Sequence, residues 1–201
     1  MIAPEFYHDP NVPSQPDQYE GEFSALLRLY CQTRPKRVIE IGVRLGGTLY
    51  QWIKHAPPGA QVFAIDWPGK LWGYRDGPPP TWDWILFSND FGVPLSIRLA
   101  DSHEAETVEW ARVRSPFDWL FIDADHSYSG VKADYENYRR MVSPGGYIIL
   151  HDILPDPLDA GIQVWQLWQE ISTERSNAGL AAQSLTSSPA QPGRGLGVLR
   201  V

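Results

Sequence analysis

The sequence has little cysteine, a deficit of positive charge and no long apolar run. Cys31 is the single cysteine among 201 residues, which excludes an intramolecular disulfide and is typical of a reducing compartment. The 17 lysine and arginine residues are outnumbered by 24 acidic ones, and nothing resembles the basic stripe of a nucleic-acid-binding protein. No apolar run approaches the ~20 residues that span a bilayer, and the first residues lack the charged and apolar regions of a signal peptide. We therefore expect a cytoplasmic protein with neither nucleic-acid nor membrane partners.

Proline and tryptophan are abundant instead, with 18 and 9 residues respectively. Residues 1–19 are rich in proline and show no periodicity, which predicts an extended N-terminal arm. Residues 20–201 suit a single domain, since a chain of this length forms one sizeable core. Many of the tryptophans fall within residues 67–92, which indicates an irregular aromatic segment. That segment could be a lid over a substrate, a hydrophobic patch or an oligomer contact, so a homo-oligomer is left open.

From about residue 20 onward, short apolar runs alternate with helical patterns. The predicted strands are Val38–Gly42, Gln61–Asp66, Leu95–Asp101, Asp118–Asp123, Tyr147–His151, Ala182–Leu185 and Gly197–Val201. The predicted helices are Glu22–Gln32, Thr48–His55, His103–Arg112, Ser129–Met141 and Gly161–Ser172, and Ser143–Gly146 is predicted to be a turn. Such alternation predicts an α/β fold with a parallel sheet and right-handed crossovers.

Acidic residues follow nearly every predicted strand of this sheet. They are Glu40, Asp66, Asp101, Asp123 and Asp152. Grouped carboxylates repel one another, so stability alone does not explain their position. In parallel α/β sheets, ligands bind at the carboxyl ends of the strands. The pattern therefore predicts a ligand site at this edge of the sheet.

The loop after the first strand favours one class of cofactor. It reads Glu-Ile-Gly-Val-Arg-Leu-Gly-Gly over residues 40–47, and Arg44 stands where a dinucleotide-binding loop has its second glycine. Glu40, before the first glycine, also disfavours a nearby phosphate. Both features suit a cofactor without phosphates that carries a positive charge, as S-adenosylmethionine (SAM) does. A plain strand-to-helix turn is the alternative reading.

Several segments together resemble class I SAM-dependent methyltransferases. They are EIGVRLGGT (40–48), FAID (63–66), LAD (99–101), FIDADHSYSGVKADYENYRRMVSPGGYIILHD (121–152) and GLGVL (195–199). More narrowly, the chain is similar to small metal-dependent O-methyltransferases grouped with the cephalosporin-hydroxylase-like and macrolide-sugar enzymes. The resemblance implies a Rossmann-like class I methyltransferase fold, with a seven-stranded, mostly parallel sheet and helices on both faces.

The resemblance also implies a set of cofactor-binding residues. Asp66 would accept the ribose hydroxyls, Asp101 and its neighbour Ser102 would lie near the adenine amino group, and Glu40 and Gly42 would border the methionine part. Gly46 and Gly47 would allow close approach, and Trp67 and Asp123 complete the predicted set. Asp101 and Ser102 also form a good helix-capping start, and the two readings are compatible.

By the same resemblance, the reaction end would combine a divalent metal ion with a general base. Asp123, His151 and Asp152 match the metal-binding positions, and oxygen ligands of this kind suit Mg²⁺. His151 stands where several relatives have an acid and is a softer ligand, which favours ions such as Mn²⁺. Asp123 and His126 would be the catalytic residues, with His126 as the base on the acceptor hydroxyl. Alternatively His126 caps the next helix or contacts adenosine, His151 lies beside the metal or touches the cofactor, and Asp125 is a second candidate ligand or base.

These features predict a metal-assisted O-methyltransferase that acts on a small hydroxylated acceptor such as a sugar, glycoside or natural product. Two other functions stay open from the residues alone. The chain could be a SAM-binding scaffold without transfer activity, or a hydroxylase-like metal enzyme on the same fold.

Overall fold

The computed structural model describes residues 16–67 and 81–201, apart from the side chain of Trp82. Residues 1–15 of the predicted arm and residues 68–80 of the predicted aromatic segment lie outside the described residues. Within the described ranges, no helix combines the length and the apolar character that a membrane span requires.

Helices and strands alternate along the chain as predicted. The helices are α1 (Glu20–Thr33), α2 (Gly47–Lys54), α3 (Thr81–Phe91), α4 (Ala105–Arg112), α5 (Tyr128–Tyr138, followed by a short 3₁₀ turn at Arg139–Met141) and α6 (Val164–Asn177). The strands are β1 (Arg37–Ile41), β2 (Gln61–Asp66), β3 (Leu95–Leu99), β4 (Phe117–Ile122), β5 (Val142–His151), β6 (Ala182–Leu185) and β7 (Leu196–Arg200).

The strands form one seven-stranded sheet in the order β3-β2-β1-β4-β5-β7-β6. Pairing is parallel from β3 to β5, whereas β7 runs antiparallel to both β5 and β6. The strand order reverses between β1 and β4, which is where doubly wound sheets open a ligand crevice. The predicted seven-stranded, mostly parallel α/β fold is confirmed.

Continuous apolar strands explain why both faces of this sheet are covered. Ile39, Leu120 and Phe121 in the central strands are completely buried, as expected for strands that lie between two layers of helices. Helices α1, α2 and α3 contribute to the apolar cluster on one face. Helices α4, α5 and α6 contribute to the cluster on the other face. The prediction of helices on both faces is confirmed.

The prediction of irregular structure after Trp67 was wrong for residues 81–91. They form helix α3, in which Trp84 and Phe87 are three residues apart and both buried against the core. Pairs at this spacing share one helix face. The density of tryptophan and proline in the sequence hid this short helical pattern.

Two local predictions also need correction. Residues Ser143–Gly146 are not a separate turn, because β5 begins at Val142 and pairs with β4 across a register shift. Helix α4 begins at Ala105 with Glu104 as its N-cap, so Ser102 does not cap it. Instead the Asp101 side chain accepts a hydrogen bond from the His103 amide at 2.9 Å and forms a turn before the helix.

Candidate active site

A cavity of about 660 Å³ opens at the carboxyl ends of the central strands. The predicted site residues that line it are Gly42, Gly47, Asp66, Trp67, Asp101, Ser102, Asp123, Asp125, His126, His151 and Asp152. Its volume is within the range of small-molecule sites. The topology thus brings together residues that are more than a hundred positions apart in the chain.

Glu40 and Gly46, which were also predicted to bind the cofactor, are not among the lining residues. Glu40 is completely buried and accepts a hydrogen bond from the hydroxyl of Thr48, which does line the cavity. Burial raises the pKa of Glu40 well above its usual value. A Cβ added at Gly46 would lie 2.5 Å from the indole nitrogen of Trp84, so this glycine permits close packing of α3.

Asp66, at the end of β2, fixes the loop that follows β1. Its Oδ2 accepts hydrogen bonds from the backbone amides of Val43 at 2.7 Å and Arg44 at 2.6 Å. Arg44 has a φ of 52°, a conformation that is uncommon for a side chain larger than glycine. The carboxylate at the predicted ribose position therefore also sets the shape of the predicted methionine-binding loop.

Gly42 lets the ends of β1 and β4 meet. It has a φ of 85°, and a Cβ at this position would overlap the carbonyl oxygen of Asp123 and lie 2.7 Å from Cα of Ala124. Only glycine allows this backbone conformation and this contact together. The loop after β1 and the acidic loop after β4 are consequently held against each other at the centre of the cavity.

A buried acid–histidine pair lies behind the predicted adenine end. Asp134 in α5 is completely buried, and its Oδ1 lies 3.2 Å from Nε2 of His103. Contact with Asp134 raises the pKa of His103 to about 9, although burial opposes the shift. Burial raises the pKa of Asp134, which His103 counteracts. The pair anchors the turn at Asp101 to α5.

This pair was not predicted from the sequence. One signal was present: Val131, Asp134 and Tyr138 recur at helical spacing on one face of α5, and all three are buried. A carboxylate on the apolar face of a helix requires a partner.

At the other end of the cavity, two carboxylates and two imidazoles converge. Oδ1 of Asp123 lies 3.2 Å from Nε2 of His126 and 3.0 Å from Nδ1 of His151. Oδ2 of Asp152 lies 3.4 Å from Nδ1 of His126 and 3.5 Å from Nδ1 of His151. The imidazoles therefore lie between carboxylates that would otherwise repel each other.

This arrangement displaces the pKa values of Asp123, His126 and His151. Burial would raise the pKa of Asp123, but His151 and His126 hold it below its usual range. Burial would lower the pKa of His151, but Asp123 and Asp152 raise it to about 9. The same two carboxylates raise the pKa of His126 in spite of its burial.

The cluster has the donor set of a divalent-metal site. Asp123, His126 and Asp152 each offer one ligand atom, and these atoms all lie within 4.8 Å of one another. The predicted ligand set contained His151 rather than His126, and His151 contacts the same two carboxylates. Two carboxylate oxygens with an imidazole nitrogen suit Mn²⁺ and similar ions, and the residues therefore fit a metal.

The residues after Asp123 have separate structural tasks. Ser127 is the N-cap of α5, and its hydroxyl accepts a hydrogen bond from the Gly130 amide at 3.1 Å. Asp125 accepts a hydrogen bond from the Ser127 amide at 2.9 Å and packs where a side chain at Gly130 would stand. The alternative in which His126 caps this helix is thus wrong, and His126 is directed to the carboxylates instead.

Two residues near the start of the described chain contact the acidic cluster of Asp123, His126, His151 and Asp152. The amide of Gln18 donates a hydrogen bond to Oδ2 of Asp123 at 3.0 Å. Glu22 in α1 is completely buried, and its Oε1 lies 4.0 Å from Nε2 of His151. Neither contact was predicted from the sequence. Glu22 could have been recognised, because it is a carboxylate beside Phe23 on the apolar face of α1. Nothing in the sequence around Gln18 indicates its contact with Asp123.

The part of the chain that forms most of this site matches a known protein family. A family model for a methyltransferase domain matches residues 39–153, from β1 to the residue after Asp152. A curated relative, the uncharacterized protein y4gI of Sinorhizobium fredii, is 26% identical over 188 residues, which cover 82% of this chain. The chain spans only 19% of the length of that relative.

Solved structures share the fold at low sequence identity. An O-methyltransferase from Bacillus cereus in complex with S-adenosylhomocysteine (SAH) has a TM-score of 0.67 and 16% identity, covering 96% of this chain and 86% of that one. MycE, a methyltransferase of the mycinamycin biosynthetic pathway in complex with Mg and SAH, has a TM-score of 0.53 and 20% identity. That match covers 89% of this chain and 48% of MycE.

Proposed function

The chain belongs to the class I SAM-dependent methyltransferases, and from that premise we propose that it transfers the methyl group of SAM to a hydroxyl of a small acceptor with the help of a divalent metal ion. The observation that carries the proposal is the convergence of Asp123, His126 and Asp152 at one end of the cavity, with all their ligand atoms within 4.8 Å of one another. The B. cereus enzyme and MycE, which share this fold, are an O-methyltransferase bound to SAH and a methyltransferase bound to Mg and SAH.

The proposed cofactor seat extends from the loop after β1 to the loop after β3. Asp66 would accept the ribose hydroxyls, because a carboxylate has several acceptor sites and can serve them together with the two loop amides. Asp101 would accept from the adenine amino group, and its turn is held by the His103–Asp134 pair. Gly42 and Gly47, which both line the cavity, would let the methionine part lie against the backbone.

Asp123 and Asp152 would hold the metal, with an imidazole beside them as nitrogen donor. When bound, a divalent ion orients an acceptor hydroxyl and makes it more acidic. His126 would then take the hydroxyl proton, since neighbouring carboxylates strengthen an imidazole as a base. His151, which is almost fully buried beside the same carboxylates, would position Asp123.

The size of the cavity limits the acceptor. A volume of about 660 Å³ has to contain both the methyl donor and the acceptor. Small-molecule sites of this kind range from ~300 to ~1,000 Å³, so the part of the acceptor that lies inside the cavity next to the cofactor is small. A single sugar ring or a planar phenol agrees with this limit.

Isothermal titration with SAM tests the cofactor assignment. We expect saturable binding that SAH competes away, and the absence of both would contradict the proposal. Titration of Mn²⁺ into the SAH complex, with an EDTA-treated control, tests the metal. If the protein binds SAM but no acceptor is methylated in the presence of either Mg²⁺ or Mn²⁺, it is a binding protein without transfer activity.

His126→Gln separates the two roles of this residue. As a base, His126 is needed for turnover but not for metal affinity, so the variant should lose kcat while it still binds Mn²⁺. As a metal ligand, His126 is needed for both turnover and metal affinity. Loss of Mn²⁺ affinity in the variant would therefore assign His126 to the metal and leave the base to be found elsewhere.

A further inference from the structure

We propose that Arg194 binds a carboxylate group of the methyl acceptor, so that the substrates are hydroxylated organic acids. The inference rests on the proposed function for its methyl donor and its reacting hydroxyl. It adds the chemical class of the acceptor and a residue that determines specificity. Arg194 lies outside the range 39–153 that the family model matches.

The backbone holds Arg194 at the reaction end of the cavity. Its carbonyl accepts a hydrogen bond from the Leu154 amide at 2.9 Å, and the amide of Gly193 donates to the carbonyl of Pro155 at 3.0 Å. The anchoring segment thus starts two residues after Asp152. Arg194 precedes β7, whereas Asp101 follows β3, and these strands lie on opposite sides of the β1–β4 boundary. Arg194 therefore faces the acceptor rather than the adenine end.

The loop maintains an unusual conformation at this position. Gly193, Arg194 and Gly195 have φ values of 66°, 56° and 83°, so three consecutive residues are left-handed. For arginine this conformation is unfavourable, and such residues concentrate where a side chain has to be aimed at a site. Because both neighbours are glycines, the loop turns tightly and directs the arginine to the cavity that it lines.

The positive charge of Arg194 is not matched within the described part of the chain. None of the ion pairs among the described side chains involves it. The other arginine that lines the cavity, Arg44, pairs with Asp17. Asp156 also lines the cavity and lies beside Gly193, but it forms no ion pair with Arg194, and its Oδ1 accepts a hydrogen bond from the Leu158 amide at 2.8 Å.

Tyr19 keeps the guanidinium in place. The guanidinium carbon of Arg194 lies 5.0 Å from the centre of the Tyr19 ring, within the range of a cation–π contact. Tyr19 adjoins Gln18, whose amide contacts Asp123. The arginine is thus connected through one short segment to the acidic cluster where the hydroxyl would react.

The surroundings favour a carboxylate over a phosphate. Arginine presents a planar fork of donors that matches a carboxylate in bidentate geometry. The rest of the cavity is rich in acids, and one arginine neutralises one negative charge. A phosphate monoester carries about -1.5 to -2 charges near neutral pH and would meet more repulsion.

Matched acid and neutral ligands test the inference by binding alone. The probes are gallate against pyrogallol and glucuronate against glucose, each titrated into the wild-type protein with and without SAH. The variants are Arg194→Gln, Arg194→Lys and, as a control, Arg28→Gln, because Arg28 is exposed on α1 and does not line the cavity. Thermal melts establish that each variant is folded.

We expect at least one acid to bind about tenfold or more tightly than its neutral partner. Arg194→Gln should abolish that preference with SAH affinity unchanged, Arg194→Lys should keep part of it, and Arg28→Gln should behave as wild type. Equal binding of acid and neutral probes, binding of neither, or a preference that survives in Arg194→Gln would overturn the inference. Failure of SAH to bind would contradict the proposed function instead, and the acid preference is then read from the titrations without SAH.

Discussion

Gly42→Ala is expected to destabilise the protein far more than an alanine at a glycine of the same backbone conformation. Gly42 and Gly59 have φ values of 85° and 80°, so an alanine at either position adopts a left-handed conformation. That strain costs about 1 kcal/mol in both variants. At Gly59 the new Cβ meets nothing within 4 Å, so Gly59→Ala measures the strain alone.

At Gly42 the new Cβ would overlap the Asp123 carbonyl, and backbone rather than a flexible side chain has to move. Overpacking of this kind costs about 3 kcal/mol or more. For a chain of this size each 1 kcal/mol shifts Tm by roughly 2–4 °C, so the two variants should differ in Tm by roughly 6–12 °C. SAM affinity should fall only in Gly42→Ala, because Gly42 lines the cavity.

Differential scanning calorimetry together with titration of SAM measures both effects. Equal Tm values for the two variants would refute the close approach of the loops after β1 and β4. Unchanged SAM affinity in a destabilised Gly42→Ala would instead show that the cofactor does not lie against this loop.

The acidic cluster and the buried pair give two further predictions. Asp123→Asn should reduce turnover by about 10³-fold with SAM affinity largely kept, and should lower the free energy of unfolding by about 3 kcal/mol because two imidazoles lose a buried carboxylate partner. In a urea titration the exposed control Glu106→Gln should change stability by less than about 0.5 kcal/mol, and an equal effect of both variants would refute this reasoning. Since the pKa of His103 is raised to about 9 in the folded state, its stabilising contact is fully present below the unfolded pKa of about 6.5 and is lost as the pH rises through about 9. Asp134→Asn should therefore weaken the decline in stability between these pH values, and an unchanged decline would contradict the prediction.

The sheet and the position of the site could be predicted because their signals are local. Continuous apolar runs such as those of β2 and β4 specify buried parallel strands whatever the surroundings. The acid that follows each run then lies at the carboxyl edge by geometry alone. The resemblance to methyltransferases added roles for Asp66 and Asp101 that spacing does not provide.

Contacts between distant segments could not be predicted in the same way. Gln18 reaches Asp123, which is 105 positions later, and only the fold brings them together. Glu22 and Asp134 are buried carboxylates with a histidine of another element nearby, His151 at 4.0 Å and His103 at 3.2 Å. A sequence shows that such a residue is on an apolar helix face, but it does not show which histidine it meets.

The two histidines of the reaction end illustrate the same limit. His126 and His151 are three and 28 positions from Asp123, and each places a ring nitrogen near its Oδ1. The resemblance to methyltransferases implied His151 as the ligand and His126 as the base, whereas in the structure both histidines contact the two carboxylates, and His126 has the ligand geometry. The difference depends on the direction of two side chains, one in the loop after β4 and one at the end of β5, which residue order does not determine.

A crystal structure of the protein with SAH and Mn²⁺, with an anomalous difference map for manganese, would show whether a metal ion lies beside the bound cofactor. We expect an anomalous peak within coordination distance of Asp123, Asp152 and an imidazole nitrogen, and SAH in the same cavity with its ribose on Asp66. A map without a manganese peak, in which the carboxylates still contact only the imidazoles while SAH is bound, would contradict metal-assisted transfer.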